Sequence, residues 1–490
     1  MIVDRAQGLP ATWAFATLGE VTTKPQYGWT TKATGAGNNL KLLRTSDIST
    51  GRVNWKTVPT CVNEPDDPSK FFLNAGDIVV ARAGSVGKSF LIREDVTDAV
   101  FASYLVRFTP KILPEYVNFF MQSRRYWEQI EDKSSGIAIP NVNASKLSQV
   151  EIPVAPLNEQ RRIVDKIESL FAQLDHGEAG LRDVQKLLAR YRQSVLKVAV
   201  TGQLTANWRA ENADRLESGS DLLARILEAR RENWQGRGKY KEPAVPDTSD
   251  MPELPKGWVW ASTEQVAFVE TGATPKKGNS EYYDGGDIPW VTSTAVNESS
   301  IASPQAYITE RALKETNAKL FPVGTLVVAM YGEGKTRGMV SELGIEAATN
   351  QACAALVVEH LSAALRRHLK WFYKFYYEAV RLLSSGGVQP NLNLSLVKAT
   401  CFPLPGENEA DEIVARLDKE MHRIELINQS CQAELTRSAA LRQSILKDAF
   451  AGKLVPQDPS DEPASELLAR IRAERDAAAS KKRTRKKVTA

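Results

Sequence analysis

The sequence predicts an α+β fold in which two mixed α/β domains are separated by a pair of long antiparallel coiled-coil helices, with a pseudo-two-fold internal repeat. Three observations lead to this prediction. The same motifs recur in the same order about 250 positions apart. Each copy contains one long stretch with apolar residues at heptad spacing. Each copy also contains short β-rich runs bounded by Gly, Pro and Asn, which are typical of a compact mixed domain.

The repeat covers most of the 490 residues. YRQSVLKVAVTGQLT at 191–205 matches LRQSILKDAFAGKLV at 441–455. The other matching pairs are LPATWAFATLGEV (9–21) with LPKGWVWASTEQV (254–266), LNAGDIVVARAG (73–84) with FPVGTLVVAMYG (321–332), PNVN (140–143) with PNLN (390–393), NEQRRIVDKI (158–167) with NEADEIVARL (408–417), and DLLARILEAR (221–230) with ELLARIRAER (466–475). Because the order is the same in both halves, the chain is interpreted as a tandem duplication.

The two mixed domains are predicted at 1–157 and 251–406. Both contain apolar, β-branched runs, such as Asp77 to Val80 and Thr325 to Val328, that end at turn residues. Runs of this length and composition favour short strands. Each half therefore begins with a domain that contains a sheet.

Each mixed domain is followed by a predicted long helix, at 158–206 and at 407–455. Asn158 and Asn408 stand at N-cap positions, and Gly202 and Gly452 stand where a left-handed residue ends a helix. A lone helix with an apolar seam would expose it, so the two helices are expected to pair, and antiparallel pairing is favoured because each domain lies at the N-terminal end of its own helix. The seam residues expected to form the pairing are Ile163, Ile167, Leu170, Leu174, Leu188, Ile413, Leu417, Ile424, Leu441 and Ile445, with Leu181, Val184, Tyr191, Val195, Val198, Ile427 and Cys431 on the same register.

The remaining segments are a helical arm and linker at 207–250, and a short helix with a basic disordered tail at 456–490. The tail contains KKRTRKK at 481–487, which is either a solubilising end or a loose nucleic-acid contact. Within the first long helix, Gly177 and Gly180 each cost up to about 1 kcal/mol relative to Ala. A local kink or break is therefore expected there, and only in that helix.

Composition indicates an ordinary globular protein located in the cytoplasm. The net charge is +4, and the apolar fraction is 42%. No run is long and apolar enough to span a membrane, and the N-terminal residues do not resemble a signal peptide. The four cysteines, Cys61, Cys353, Cys401 and Cys431, lack the spacing of a disulfide framework or a zinc site, so no metal is expected.

The sequence offers no convincing catalytic constellation. GSVGKS at 84–89 lacks the first glycine of a phosphate-binding loop, because Arg82 stands in its place, and GEGKT at 332–336 is shorter by one residue. DIPW at 287–290 departs from the amino-methyltransferase motif at Ile288. His176, His360, His368 and His422 are scattered and match no metalloprotease or nucleophile arrangement. A recognition protein is therefore favoured over an enzyme.

Polar and basic residues that suit DNA recognition occur at comparable places in both mixed domains. Arg pairs well with guanine, and Ser, Thr and Lys contact bases or phosphates. The candidate DNA-binding residues are Arg44, Thr45, Ser46, Arg82, Ser85 and Lys88 in the first domain, and Lys276, Lys277, Thr292, Ser293, Tyr331, Lys335 and Arg337 in the second.

The chain resembles the DNA-specificity (S) subunits of type I restriction-modification systems. The resemblance is carried by PLNEQRRIV (156–164), YRQSVLKVAVTGQLTANWRAEN (191–212), LRQSILKDAFAGKL (441–454), TGATPKK (271–277) and IPWVTS (288–293). It implies that the mixed domains are target-recognition domains for the two half-sites of a bipartite, asymmetric double-stranded DNA target, and that the helices are a constant frame.

The resemblance also implies the partners. Two modification subunits would methylate adenine N6 with S-adenosylmethionine, and two restriction subunits would use ATP and Mg²⁺. The chain itself would need no cofactor and would not be an enzyme. Two alternatives remain open: a self-sufficient methyltransferase or nuclease with an unrecognised site, and a coiled-coil scaffold without a role on DNA.

Overall fold

The computed structural model describes residues 8–35, 40–134, 141–234, 238–297, 299–331, 336–383 and 392–488. The chain forms two compact units: residues 1–182 with 432–490 make unit 1, and residues 183–431 make unit 2. The α-helices are α1 (Leu18–Val21), α2 (Thr45–Ile48), α3 (Pro114–Phe120), α4 (Arg124–Ser134), α5 (Ala144–Ser148), α6 (Leu157–Val200), α7 (Ala206–Glu211), α8 (Gly219–Glu232), α9 (Thr263–Val266), α10 (Glu310–Glu315), α11 (Ala363–Leu383), α12 (Leu394–Ala399), α13 (Glu407–Ala449) and α14 (Ala464–Val488).

The strands are short, as the sequence predicts. They are β1 (Ala14–Thr17), β2 (Gln26–Tyr27), β3 (Ala33–Thr34), β4 (Lys41–Leu43), β5 (Thr60–Cys61), β6 (Ile78–Ala81), β7 (Ser89–Leu91), β8 (Ala99–Phe101), β9 (Leu105–Phe108), β10 (Glu151–Val154), β11 (Val259–Ser262), β12 (Phe268–Thr271), β13 (Ile288–Val291), β14 (Ser300–Ile301), β15 (Ala306–Ile308), β16 (Leu320–Phe321), β17 (Leu326–Ala329), β18 (Val340–Leu343), β19 (Ala347–Thr349), β20 (Cys353–Val357) and β21 (Cys401–Leu404).

Unit 1 contains two four-stranded sheets and a two-stranded pair. The sheet orders are β2-β9-β6-β7 and β3-β5-β4-β8, and β1 pairs with β10. All pairs are antiparallel except β4 with β8, where Leu42 lies opposite Val100. Strand β6 is buried along its whole length, because its Ile-Val-Val-Ala run lies between two strands and has apolar neighbours on both faces.

Unit 2 repeats this plan. Its sheets have the orders β12-β20-β17-β18-β14 and β15-β13-β19-β16, and β11 pairs with β21. Two of its pairs are parallel: β13 with β19, in which Val291 lies opposite Thr349, and β14 with β18. The order β12-β20-β17-β18 corresponds to β2-β9-β6-β7 of unit 1, so the internal repeat predicted from sequence is present in the strand topology.

The long helices pair in an antiparallel manner within each unit. In unit 1, Glu178 Oε1 accepts hydrogen bonds from Ser438 Oγ at 2.7 Å and from Arg442 Nη2 at 3.1 Å, and Asp175 Oδ1 accepts from Arg442 Nη2 at 2.7 Å. Residue numbers in α13 rise as those in α6 fall, which is the signature of antiparallel packing. Ile163, Ile167 and Ile445 are buried in one core with half-buried Leu170 and Leu174.

In unit 2, the same pairing continues with other residues. Gln185 Nε2 donates to Asn428 Oδ1 at 3.2 Å, and Tyr191 Oη donates to Glu420 Oε2 at 3.3 Å. Ile413 and Leu417 are buried in one core with Val195, Leu196 and Ala199 of α6. Ile424 is buried, and Leu188 is half-buried.

The predicted seam is wrong at several positions. Leu441 is 47% exposed, and Val184, Tyr191 and Ile427 lie outside the buried stripe as well. Polar residues stand in the stripe near its middle, where Glu178, Gln185, Asn428 and Arg442 are half-buried. A polar side chain can occupy such a position because its partner across the pair satisfies its hydrogen bonds, so apolar spacing alone does not identify the stripe.

Helix α6 is continuous through Gly177 and Gly180, so the expected break is absent. A Cβ at either glycine would meet no atom within 4 Å, which means that neither glycine is required by a close contact. The packing of α6 against α13 stabilises the helix by more than the two glycines weaken it. Both long helices begin one residue before the predicted N-caps, at Leu157 and Glu407.

Each unit contains the same arrangement of Trp, Glu and Gly beside its part of the long helices. In unit 1, Trp13 Nε1 donates to Glu159 Oε2 at 2.9 Å, and Gly452 has a φ of +69°. In unit 2, Trp258 Nε1 donates to Glu409 Oε2 at 2.8 Å, and Gly202 has a φ of +69°. A Cβ on either glycine would collide with a proline, which explains why the glycine and the Leu-Pro-x-x-Trp motif are repeated together.

The short helices after the long ones pack on the mixed domains. Leu222 and Ile226 of α8 are buried in the core of unit 2 with Val266 and Phe402. In unit 1, the amide of Ala464 at the start of α14 donates to Thr12 O at 2.9 Å. Helix α14 continues to Val488, so residues 481–487 are helical rather than a separate disordered tail.

Candidate nucleic-acid interface

Equivalent hairpins in the two units carry several of the candidate residues. In unit 1, Gly87 N donates to Ala81 O and Lys88 N donates to Ser85 O. In unit 2, Gly338 N donates to Ala329 O and Met339 N donates to Thr336 O. The φ values of Gly87 and Gly338, +83° and +80°, require glycine at both turns. The segment between the equivalent residues is longer in unit 2, with eight residues (330–337) against five (82–86), although the GEGKT motif is one residue shorter than GSVGKS.

This correspondence identifies, for several hairpin residues, the equivalent residue in the other unit. Lys88 is equivalent to Met339, and Arg337 is equivalent to Val86. Arg82 is equivalent to Met330, since Arg82 N donates to Tyr104 O and Met330 N donates to Ala352 O. The backbone hydrogen bonds at these positions are equivalent, but the charged residues differ between the two units.

Arg82 lies against an aromatic ring at the base of the first hairpin. Its guanidinium carbon is 5.1 Å from the centroid of the Tyr27 ring, and its buried Nε has no hydrogen-bond acceptor among the residues that the structure describes. Tyr27 is held by the amide of Ala144, which donates to Tyr27 Oη at 3.0 Å, and it remains 40% exposed. Stacked, half-buried arginine without a carboxylate partner is suited to contacting a base or phosphate.

Arg44 is held by a carboxylate. Its Nε and Nη2 donate to the two oxygens of Asp47 at 3.0 and 2.9 Å, which raises the pKa of Arg44. This bidentate pair uses part of the guanidinium that was predicted to face DNA. Thr45 lies beside the first hairpin, because a Cβ on Gly84 would be 3.7 Å from Thr45 Oγ1. Lys88 Nζ donates to Ser49 O at 2.9 Å, so α2 and this hairpin form one surface.

Ser46 and Ser85 complete the group in unit 1. Ser46 is exposed at the start of α2, and Ser85 is half-buried in the hairpin. The structure therefore brings together all the candidates of the first domain: Arg44, Thr45, Ser46, Arg82, Ser85 and Lys88.

The candidates of unit 2 are more dispersed. Thr292 and Ser293 follow β13, at the place that Arg44 and Thr45 occupy after β4, and Thr292 Oγ1 lies 2.7 Å from Thr294 Oγ1. Lys276 and Lys277 are exposed in the loop after β12. Tyr331 is 40% exposed and Arg337 is half-buried, while Lys335 lies outside the described residues.

Sequence reasoning missed Tyr27 and Asn141. Tyr27 precedes Gly28, whose backbone crosses so close to Phe101 and Ala102 that a Cβ would overlap their carbonyl oxygens. Gly272, which follows Thr271, makes the same crossing at Thr349. The only sequence signal was the recurring glycine in otherwise divergent segments. Asn141 is half-buried beside the hairpin, where it bridges Ala83.

The described residues contain no cluster of His, Cys, Asp and Glu that could hold a metal ion. The four cysteines are free thiols. Within the described ranges, no helix combines the length and apolar character needed to cross a bilayer.

The chain matches the family described as "Type I restriction modification DNA specificity domain" at residues 10–181 and 255–437. The StySPI specificity subunit of Salmonella potsdam is 26% identical, with 98% of this chain and 99% of that protein covered. The EcoKI specificity subunit of Escherichia coli (strain K12) is 25% identical over 98% of this chain and 99% of that protein.

Solved structures show the same fold. A chain from a study of assembly and conformational transition of the type I R-M system superposes with a TM-score of 0.61 at 19% identity, covering 91% of this chain and 99% of that one. The HsdS subunit of Thermoanaerobacter tengcongensis gives a TM-score of 0.50 at 19% identity, covering 91% and 98%. With two matched segments, one in each mixed domain and its helix, the chain belongs to the type I restriction-modification DNA specificity family, whose members select the DNA target without being catalytic themselves.

Proposed function

We propose that the mixed domains at 1–157 and 251–406 each read one half-site of a bipartite, asymmetric DNA duplex. The observation that carries this proposal is the pair of equivalent hairpins with unlike side chains. Arg82 and Lys88 in unit 1 correspond to Met330 and Met339 in unit 2. Since groove contacts determine which base is accepted, unlike side chains at equivalent backbone positions would read unlike sequences.

The residues proposed to contact DNA follow from this arrangement. Arg82, Ser85 and Lys88, with Thr45 and Ser46 beside them, would form one contact surface, and Arg44 would contribute the donors that Asp47 leaves free. In the second domain, the residues proposed to contact DNA are Thr292, Ser293, Lys276, Lys277, Tyr331, Lys335 and Arg337. Lys276 and Lys277 are exposed and suit phosphate contacts, which supply affinity without sequence information.

The partners are proposed from the family. Curated relatives are named as specificity subunits of type I restriction enzymes, and one solved relative comes from a study of type I complex assembly. We propose that this chain, in the cytoplasm, holds two modification subunits that use S-adenosylmethionine to methylate adenine, and two restriction subunits that use ATP and Mg²⁺. The frame on which they would dock is formed by 158–206 and 407–455, and the arm at 207–250 and the segment at 456–490 would support it.

The test is to sequence the methylated sites in cells that contain the chain with its modification subunits. Replacing Arg82 with Ala should relax the sequence preference in one half-site and leave the other unchanged, because each good base contact provides about 1–3 kcal/mol of discrimination. The matched control is Arg124→Ala, since Arg124 is an exposed arginine of the same domain that pairs with Glu128. A change in both half-sites, or none with Arg82→Ala, would count against the assignment.

A separate measurement addresses catalysis. The purified chain alone, incubated with target DNA and labelled S-adenosylmethionine, should transfer no methyl groups until modification subunits are added. Transfer by the chain alone would favour the self-sufficient methyltransferase instead.

A further inference from the structure

A group of lysine and arginine side chains in unit 2 has no role in the surfaces described above. It lies where α11 packs against the last turns of α6, through Trp371 and Phe375 on one side and Val195 and Leu196 on the other. The cations are Arg192 on α6 and Lys370 and Lys374 on α11.

Lys374 is a half-buried member of this group. Its Nζ lies 4.7 Å from the centroid of the Trp371 ring, and its side chain is half-buried. No carboxylate pairs with it among the residues that the structure describes. Burial, together with the nearby charges of Lys370 and Arg192, lowers the pKa of Lys374 to about 8. The ammonium group is therefore held in a place that disfavours its charge.

The nearby acidic residues Glu342 and Asp418 already form ion pairs with other cations. Glu342 accepts from Lys370 Nζ at 2.9 Å, and it also faces Arg366 Nε at 3.5 Å. Asp418 accepts from the Trp371 indole at 3.2 Å and pairs with Arg367. Arg192 is exposed and forms no ion pair with a described residue. Among the described side chains, Lys374 and Arg192 are therefore left without a carboxylate partner.

The equivalent place in unit 1 is neutralised. Arg442, which stands in LRQS as Arg192 stands in YRQS, binds Asp175 and Glu178. Gln122, three residues after the aromatic Phe119, stands where Lys374 stands three residues after Trp371. Because unit 1 forms the same helix packing without the unpaired cations, the packing itself does not require them.

We propose that Lys374 and Arg192 bind one backbone phosphate of DNA. This inference rests on the proposed function, in that DNA must lie against unit 2. Lysine binds phosphate as a point charge and arginine through a planar pair of donors, so the two residues supply complementary contacts to the free oxygens of a phosphodiester. The lysine stays protonated, and no bond is made or broken.

The first test measures DNA affinity as a function of salt, with the full chain bound to its modification subunits. Lys374→Gln introduces the residue found in unit 1. Each lost phosphate contact should reduce the slope of log K against log salt by about 0.9, which corresponds to a roughly five-fold loss of affinity near 0.15 M salt. Lys197→Gln is the control, because Lys197 is an exposed lysine of α6, the helix that carries Arg192, and its slope should stay at the wild-type value. An unchanged slope with Lys374→Gln would overturn the proposal.

The second test observes the Lys374 amine directly, by NMR of ¹³C-methylated lysine in the wild-type chain. A short duplex should raise the pKa of this amine from about 8 by roughly one unit, since a bound anion favours its charged form. Inorganic phosphate is a separate arm. If only free phosphate raises the pKa, or if Lys374→Gln weakens binding to modification subunits without altering the salt slope, the DNA phosphate assignment is wrong. Failure of the proposed function would look different, because the wild-type complex would then show no preference for any DNA target.

Discussion

Replacing one glycine with alanine should have opposite effects at two places in unit 1. Gly452 closes α13 with a φ of +69°, and a Cβ there would lie 2.6 Å from Pro10 Cδ and 3.5 Å from the Trp13 ring. The left-handed backbone costs roughly 1–2 kcal/mol for a residue with a Cβ. Overpacking against a rigid proline adds about 1–3 kcal/mol. The free energy of unfolding of unit 1 should fall by about 2–5 kcal/mol in Gly452→Ala.

Gly180 is the matched contrast. It is helical and exposed, and a Cβ there would meet no atom within 4 Å. Alanine at this position should stabilise the helix by up to about 1 kcal/mol.

Differential scanning calorimetry can compare both variants with the wild type. For a unit of this size, about 2–4 °C accompanies each kcal/mol, so Gly452→Ala should lower one transition by roughly 4–20 °C, while Gly180→Ala raises it by a few degrees. Gly202→Ala, with a Cβ 2.6 Å from Pro255 Cγ, should lower the transition of unit 2 and so identify which transition belongs to which unit. This reasoning is refuted if Gly452→Ala melts at the wild-type temperature. It is also refuted if Gly452→Ala and Gly180→Ala shift the transition in the same direction.

Two further predictions concern the buried polar groups of unit 2. Burial lowers the pKa of His368 to about 4, against a value of 6.5 in an exposed histidine, so this group's contribution to stability is fully present above pH 6.5 and is lost as the pH falls toward 4. The loss should approach about 3 kcal/mol, and urea unfolding of His368→Gln between pH 7 and 4 should show a shallower decline than the wild type. Trp258→Phe removes the indole donor from the buried carboxylate of Glu409 and should lower the free energy of unfolding by about 1.5–3 kcal/mol. Urea unfolding measures this change. An unchanged midpoint would mean that Thr205 and Arg209 alone satisfy Glu409.

The helical frame was largely predictable from sequence because its signals are local. Glycine at the helix ends and heptad spacing predicted two long helices, and the need to bury their seams favoured pairing. The exact stripe was not predictable, since Gln185 replaces Val184 only because Asn428 stands opposite to accept its hydrogen bond. Such a pair depends on two residues 243 positions apart.

The geometry of the candidate interface was not predictable from sequence. Arg44 and Arg82 look alike in sequence, yet one is held by Asp47 and the other stacks on Tyr27. The difference arises from strand pairing that brings β2 next to β9, and no local pattern encodes this contact. The equivalent glycine of the unit 2 hairpin was not predictable for the same reason, because it is identified by a hydrogen bond from Gly338 N to Ala329 O and not by a motif.

Unit 1 is built from two separate segments of the chain, which has a consequence for its synthesis on the ribosome. Its core joins Val80 and Tyr116 to Phe450, Leu467 and Ile471, although some 250 residues are made between the two parts of the unit. At about 5–20 residues per second, the first part waits roughly 12–50 seconds for the helix that covers it. Unit 2 is contiguous along the chain and can finish folding first. The nascent protein thus spends that interval with an incomplete N-terminal half, which is when a chaperone would be needed.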